Sequence, residues 1–380
     1  MSDFAPRYIP ILSISGSEIK GLSELPEKDK DLILPYFPLK GWMASNKLEN
    51  TTNKIKEIYK DRAWIADIDY DFIRNSTVIK KLLVDGKYPR EVYDQVLNLS
   101  QPDNGYSNWI EYCSSLKNAI PTIQLDDISE LKLQCFQYSK PDASEMPVAL
   151  RIRLNNYKQT EIEHILSIVS STLINPLYIL IDLGQVNYSY INNIPLIVKF
   201  VQYIIDATSC KKNCRYSLAA TSFPSSFSGI SEGESSIYER IIFDKVSNAI
   251  VTKLIYSDYG SVSLNKATGA SRIPPPRIDY PRKLEWKHIR KDFDDVKTAT
   301  KEEKHNIYTL LAKKIIEKEY WDPNLLVWGT QQIQKTAIGD NFGITDAQKA
   351  TAARINIHLF QQLHYGEDIE EIDTDDDWVD

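Results

Sequence analysis

The sequence predicts an α/β fold: a (β/α)8 TIM-barrel-like body with an insertion after strand eight, C-terminal helices and an acidic tail. Two observations carry that expectation. Runs of strand character alternate with runs of helical periodicity along the first 258 residues, and eight strands can be counted. The run at 177–183 is almost continuously apolar, as a strand covered by helices is. An open doubly wound sheet is the alternative.

The first half reads as strand 8–14, a short helix 17–25 stopping near Pro26, strand 32–38, helix 47–60 and strand 64–68. A longer irregular stretch, with a helix around 107–116, leads to strand 121–125 and helix 129–138. The second half is cleaner, with strand 148–154, helix 160–173, strand 177–183 and helix 194–207. That helix has an apolar face at Ile194, Ile197, Val201, Ile204 and Ile205. Strand 216–220, helix 235–246 and strand 251–256 complete the set.

The barrel body is therefore assigned to residues 1–258, and a Pro-, Arg- and Trp-rich insertion to 259–300. Proline has no N–H for a strand ladder, so the Pro274-Pro275-Pro276 run predicts loop, polyproline or an edge hairpin. Residues 301–365 are expected as C-terminal helices packed on the barrel. Within them, 301–320 is a strong helix, 328–343 a loop, and the last helix runs from a cap at Thr345 or Asp346 to about Tyr365. Residues 366–380 form an acidic tail, expected to be disordered when free.

Composition excludes several classes. With 42% apolar and 26% charged residues in 380, the chain can bury a core and is not wholly disordered. Four cysteines are too sparse for a disulfide scaffold. The start lacks the basic-then-apolar pattern of a secretory leader. The longest uncharged run, 165–181, is broken at Asn175-Pro176 and reads as helix then strand rather than a membrane span. The expected compartment is the cytoplasm. The net charge of −7 is uneven: the last fifteen residues hold nine carboxylates and no Lys or Arg, and without them the chain stands at +2. The body offers no strong basic footprint for nucleic acid.

Alternate residues of a barrel strand point inward, and barrel sites gather at the C-terminal strand ends. Asp67, Asp69, Arg153 and Asp182 are placed to meet there. Paired carboxylates beside arginine could hold a metal or a phosphate, or do acid–base work. The competing reading is an inert ion-pair network filling the barrel. No cofactor is expected. The Cys210 and Cys214 pair has CxxxC spacing with no His nearby, which predicts free thiols rather than zinc, although neighbouring lysines could lower a thiol pKa. His358 and Arg354 share a helix face, either lining a site or packing under the insertion. Phosphate loops of the GxGxxG and GxxxxGK types are absent, and the Gly229–Gly233 turn before a helix carries acidic residues that would repel an anion.

Two stretches suggest a partner. Residues 272–291 interleave basic and aromatic side chains, among them Arg277, Tyr280, Arg282, Trp286 and Lys287. Such a surface suits a protein hot spot, a nucleic acid, the chain's own tail or plain covering structure. The tail sets Glu370, Asp373, Asp375, Asp376 and Asp377 beside Trp378, a combination that either folds onto a basic partner or only solvates.

Five landmarks recur in order: Tyr8-Ile9-Pro10-Ile11-Leu12; Tyr256-Ser257-Asp258-Tyr259; Pro275-Pro276-Arg277-Ile278-Asp279-Tyr280 followed by Trp286; Trp328-Gly329; and Ala353-Arg354-Ile355-Asn356-Ile357-His358-Leu359. Together they resemble the beta family of phage and mobile-element proteins, from Tyr8 to about Tyr365. The resemblance implies a barrel. It also implies a defence setting, since members are often encoded beside a toxic or nuclease-like partner and one is regarded as restraining its toxic neighbour. It supplies no catalytic residues. Ser257 stands where the family pattern has Gly, and the acidic tail is an addition.

The first expectation is thus a non-enzymatic protein that binds and restrains a toxic effector encoded nearby, in an anti-phage system of the abortive-infection or toxin–antitoxin kind. The alternatives are a metal-dependent phosphoester or nucleotide hydrolase at the barrel mouth, and a nucleic-acid-binding phage sensor.

Overall fold

The computed structural model describes residues 5–73, 88–141, 143–211, 213–264, 274–295 and 300–368. The chain forms two compact units. The first comprises Met1–Ser15, Leu34–Ala220 and Ile242–Asp258; the second comprises Gly16–Ile33, Thr221–Ile241 and Tyr259–Asp380. This differs from the expected division after residue 258, because two stretches of the expected barrel body, 16–33 and 221–241, belong to the second unit. Each is drawn there by a partner distant in sequence, described below.

The first unit is a mixed α/β structure around eight strands: β1 (Tyr8–Pro10), β2 (Tyr36–Leu39), β3 (Trp64–Ile68), β4 (Ala119–Ile123), β5 (Val148–Arg153), β6 (Leu177–Gln185), β7 (Cys214–Thr221) and, after an intervening strand, β9 (Leu254–Asp258). They form one sheet in the order β1-β9-β7-β6-β5-β4-β3-β2. Registers such as Tyr8 with Tyr256, Pro38 with Asp67 and Arg153 with Asp182 are parallel. The two edge strands meet at a parallel bridge between Ile11 and Tyr36, where the Leu12 N–H donates to the Tyr36 carbonyl at 2.9 Å. The result is a nearly closed parallel barrel. Strands β3 and β4 are buried along their whole length, and β6 is buried from Leu177 to Leu183, as strands walled by helices must be.

The second unit contains a three-stranded antiparallel sheet, β10 (Arg277–Pro281), β11 (Glu285–Arg290) and β8 (Glu232–Ser236), with β11 in the middle. The insertion thus supplies a hairpin. Pro281 lies on an edge strand, where its missing N–H costs no ladder bond. Strand β8 corrects an expectation: Gly233 is followed by strand, and the helix begins only at Tyr238. Its sequence, EGESS, has no apolar alternation; pairing with β11 makes it a strand.

The C-terminal part of this unit adds the helices Lys301–Ile316, Trp328–Ala337 and Ala347–Leu363. The middle one replaces the expected loop at 328–343. It was hidden because its buried face includes Gly329, Thr330 and Gln332 rather than a strong apolar period. Gly329 sits against the last helix, where a Cβ would lie 2.4 Å from the Ala353 carbonyl oxygen. Gly329→Ala is therefore expected to destabilise the chain by about 1–3 kcal/mol through overpacking. A urea midpoint equal to that of the parent would contradict this.

The last helix is buried almost all round, so its polar side chains must find partners. Asn356 accepts from the Gly329 N–H at 2.8 Å and donates to the Gly21 carbonyl at 3.1 Å, which ties the helix Gly16–Ser23 into this unit. Gln362 accepts from Arg240 at 2.8 Å. At its end His364 lies 3.0 Å from Asp29 and 2.6 Å from Glu367. Burial lowers the affinity of His364 for its proton, but the two carboxylates outweigh this and raise its pKa above 6.5. The stabilisation is full below the unfolded value near 6.5 and is lost as pH rises through the higher folded value. His364→Gln should lose this pH dependence, and parallel stability–pH curves for the two proteins would contradict the assignment.

Among the described residues no helix is long and apolar enough to cross a membrane.

Candidate functional site: two buried polar clusters and an apolar wall stripe

Each unit holds a buried polar cluster. In the first, the parallel registers bring inward-facing residues of several strands together. Tyr36 donates to Asp67 at 2.5 Å, and Gln124 donates to the other Asp67 oxygen at 3.0 Å. Arg151 grips Asp182 through Nε at 3.0 Å and Nη2 at 2.8 Å, and its guanidinium lies over the Tyr36 ring. The Gly184 N–H donates to the second Asp182 oxygen at 2.9 Å. Tyr8 and Tyr256 both donate to Asp258, at 2.5 and 2.9 Å. Burial and the Asp67 carboxylate push Tyr36 far above its ordinary pKa, so it stays a neutral donor.

Of the four residues expected at the barrel mouth, Asp67, Asp69 and Asp182 each have partners of their own. Asp67 and Asp182 are buried and hydrogen-bonded as above. Asp69 pairs with Lys40 at 3.3 Å and accepts from the Phe72 N–H at 3.1 Å. Arg153 is half-buried at the end of β5. Among the described residues no group of three or more His, Cys, Asp or Glu side chains is placed to hold a metal ion. Sequence reasoning passed over Tyr8, Tyr36, Tyr256 and Asp258. The Tyr256-Ser257-Asp258 landmark was on the page, but its use by Tyr8 spans 250 positions. Ser257 is in a strand, where it donates to the Ile9 carbonyl at 2.5 Å; the position is no turn.

In the second unit Asp279 lies between two arginines. Arg277 reaches it through Nε at 2.8 Å and Nη2 at 3.0 Å, and Arg354 through Nη1 at 2.7 Å. Arg354 also donates to Ser261 at 3.2 Å. Burial alone would raise the Asp279 pKa; the two guanidiniums overcome it and hold the carboxyl below its ordinary value. Beside this cluster Trp286 is fully buried, edge-on to Phe223 and stacked on His358, to which its indole N–H donates at 3.3 Å. Arg354 and His358 thus serve two neighbouring contacts of this unit.

The expected partner-binding residues separate accordingly. Tyr280 and Trp286 are interior side chains, with 1% and 0% of their surface exposed, so their rings are held by the fold rather than offered to a partner. Tyr280 accepts from the Asp322 N–H at 3.1 Å. Arg277 belongs to the Asp279 cluster. Lys287 is paired with Glu234 and Glu285. Arg282 is exposed and paired with Glu285 at 2.9 Å. Glu370, Asp373, Asp375, Asp376, Asp377 and Trp378 lie outside the described residues.

The cysteines are free thiols. Burial pushes Cys135 up to about 12 and raises Cys214 as well, so the lysines beside Cys214 do not produce a reactive thiolate.

One surface feature went unread. The helix Ile194–Ala207 buries Ile197, Val201, Ile204 and Ile205, yet it also shows water Leu196 at 65% and Tyr203 at 37% exposure, with half-buried Phe200 between them. Spacings of four and three put these side chains on one outward stripe. Tyr188, 66% exposed, stands just before the helix. The signal was a helix apolar on nearly all sides, which marks burial against something more than its own core.

Comparison with known proteins adds a family. The family described as Beta protein matches residues 8–364. The chain is similar to Protein beta of Enterobacteria phage P4, with 27% identity over 367 residues, covering 95% of this chain and 94% of that protein. No solved structure matches.

Proposed function

The chain belongs to the Beta protein family, and from that premise we propose that it is a non-enzymatic protein which binds and restrains a toxic effector encoded nearby, in an anti-phage system of the abortive-infection or toxin–antitoxin kind. The observation that carries the reading is the outward stripe of Leu196, Phe200 and Tyr203 on the barrel wall. Aromatic and aliphatic side chains grouped on a rigid helix are what a protein interface uses as anchors. Asp67 and Asp182 support it from the other side, because both already have hydrogen-bond donors of their own. A TIM-barrel-like body then serves as scaffold, and occlusion of the effector is the mechanism. The acidic tail, with Glu370, Asp373, Asp375, Asp376, Asp377 and Trp378, steers a basic effector and adds a second contact. The setting is the cytoplasm.

The test is co-expression with the protein encoded beside this chain. The two should elute as one stoichiometric complex. Removal of residues 366–380 should slow association and make it less sensitive to salt. Separate elution at both low and moderate salt would overturn the proposal.

A further inference from the structure

The second unit carries an open, solvent-facing cavity of about 680 Å³ that the effector contact does not use. Its walls are the loop 223–228, the start of β10, the end of β11 and the first turns of the last helix. Among the described residues, Arg277, Arg290 and Arg354 line it with one lining carboxylate, Asp279. The guanidiniums are held in place before any ligand arrives. Arg277 lies 3.7 Å over the Phe227 ring and Arg354 4.2 Å over the Phe223 ring, and Asp279 fixes both. Arg290 is fixed by Asp292 and by the Phe227 carbonyl.

None of the three guanidiniums is exhausted. Among the described residues, no hydrogen bond uses Nη1 of Arg277, Nη2 of Arg354 or Nε of Arg290. Even counting Asp292, the three arginines exceed the carboxylates by one charge. Ser225, Ser226, Ser228 and Thr351 line the same space. A carboxylate offers two acceptor oxygens to these donors, whereas a phosphate monoester offers three with a larger charge. The volume far exceeds a bare phosphate and suits a ligand with an organic body. Phe223, Phe227, Val262 and Pro275 give that body apolar walls.

We propose that this cavity is a binding site for a small organic phosphate of nucleotide size. The arginines and hydroxyls take the phosphate, and the Phe and Pro walls cover the rest. This site is independent of the effector contact, and its test involves the purified full-length chain alone.

Calorimetric titration and thermal unfolding would be run with AMP, GMP, CMP and UMP singly, with adenosine and with inorganic phosphate. At least one nucleotide should bind and raise the unfolding midpoint. Adenosine should not, and inorganic phosphate should bind at least roughly tenfold more weakly than that nucleotide. Ser226→Trp, on the exposed loop, should block the cavity, and Arg290→Gln should weaken binding roughly tenfold. Both variants should keep the parent's circular dichroism, and Ser226→Trp its unliganded midpoint. The proposal is overturned if no nucleotide binds at millimolar concentration, if adenosine binds as well as the nucleotides, or if a folded Ser226→Trp binds with the parent's affinity.

Discussion

Replacing Asp279 by Ala should lower the unfolding free energy by about 3–5 kcal/mol, measured by urea denaturation. The carboxylate is 4% exposed and serves Arg277 and Arg354 together. Without it, Arg354 is left at 4% exposure, and among the described residues its remaining hydrogen-bond acceptor is the Ser261 hydroxyl, with Glu18 a weaker electrostatic neighbour. Arg277, about a quarter exposed, can turn towards water, so Arg354 carries most of the loss. A loss of this size is a large part of a typical total of about 5–15 kcal/mol. Adding Arg354→Met should return part of it, because the stranded charge then disappears. The pH dependence has a definite sign. Asp279 is held below its ordinary pKa, so its contribution is full above about pH 4 and is lost as pH falls through the folded value. A change within 0.5 kcal/mol for Asp279→Ala, roughly what a neutral surface site gives, would contradict the account.

The second large effect concerns binding. Leu196→Asp with Tyr203→Asp should weaken the complex with the effector by roughly 30-fold or more, the range of an interface hot spot. Leu196 faces water in the chain alone and Tyr203 is 37% exposed, so the unfolding free energy should fall by no more than about 1–2 kcal/mol and the chain should stay folded. Arg282→Glu is the control. It is exposed on the hairpin and already paired with Glu285, and it should weaken the complex far less. Equal losses from the hairpin and the stripe would move the interface away from the barrel wall.

Much of the barrel was legible in the sequence because its signals are local. Strand β6 reads from its own apolar run, and the helix Ile194–Ala207 from its own period. Strand β8 was not legible, since EGESS becomes a strand only against β11. The helix Trp328–Ala337 was missed for a similar reason, as Gly329 and Thr330 make sense only against the last helix. The clusters lie further out of reach. Asp279 meets Arg354 across 75 positions, and Tyr8 meets Asp258 across 250. Sequence spacing could propose Asp67 and Asp182 as neighbours at a barrel mouth, but it could not show that Tyr36, Gln124 and Arg151 already hold them. The basic and aromatic hairpin misled in one respect: alternation along β11 turns Trp286 into the core and Lys287 the other way. Four of the five landmarks that carry the family resemblance supply residues to the clusters, Tyr8, Tyr256 and Asp258 to the first and Arg277, Asp279, Trp286, Arg354 and His358 to the second.

The most direct test of effector restraint is survival. The protein encoded beside this chain would be induced alone, with this chain, and with the Leu196→Asp, Tyr203→Asp variant, and viable cells counted. The account predicts death with the neighbour alone, rescue by the parent chain, and loss of rescue by a variant that accumulates to the parent's level. Death in the presence of the parent chain, or rescue by the variant equal to the parent's, would contradict it.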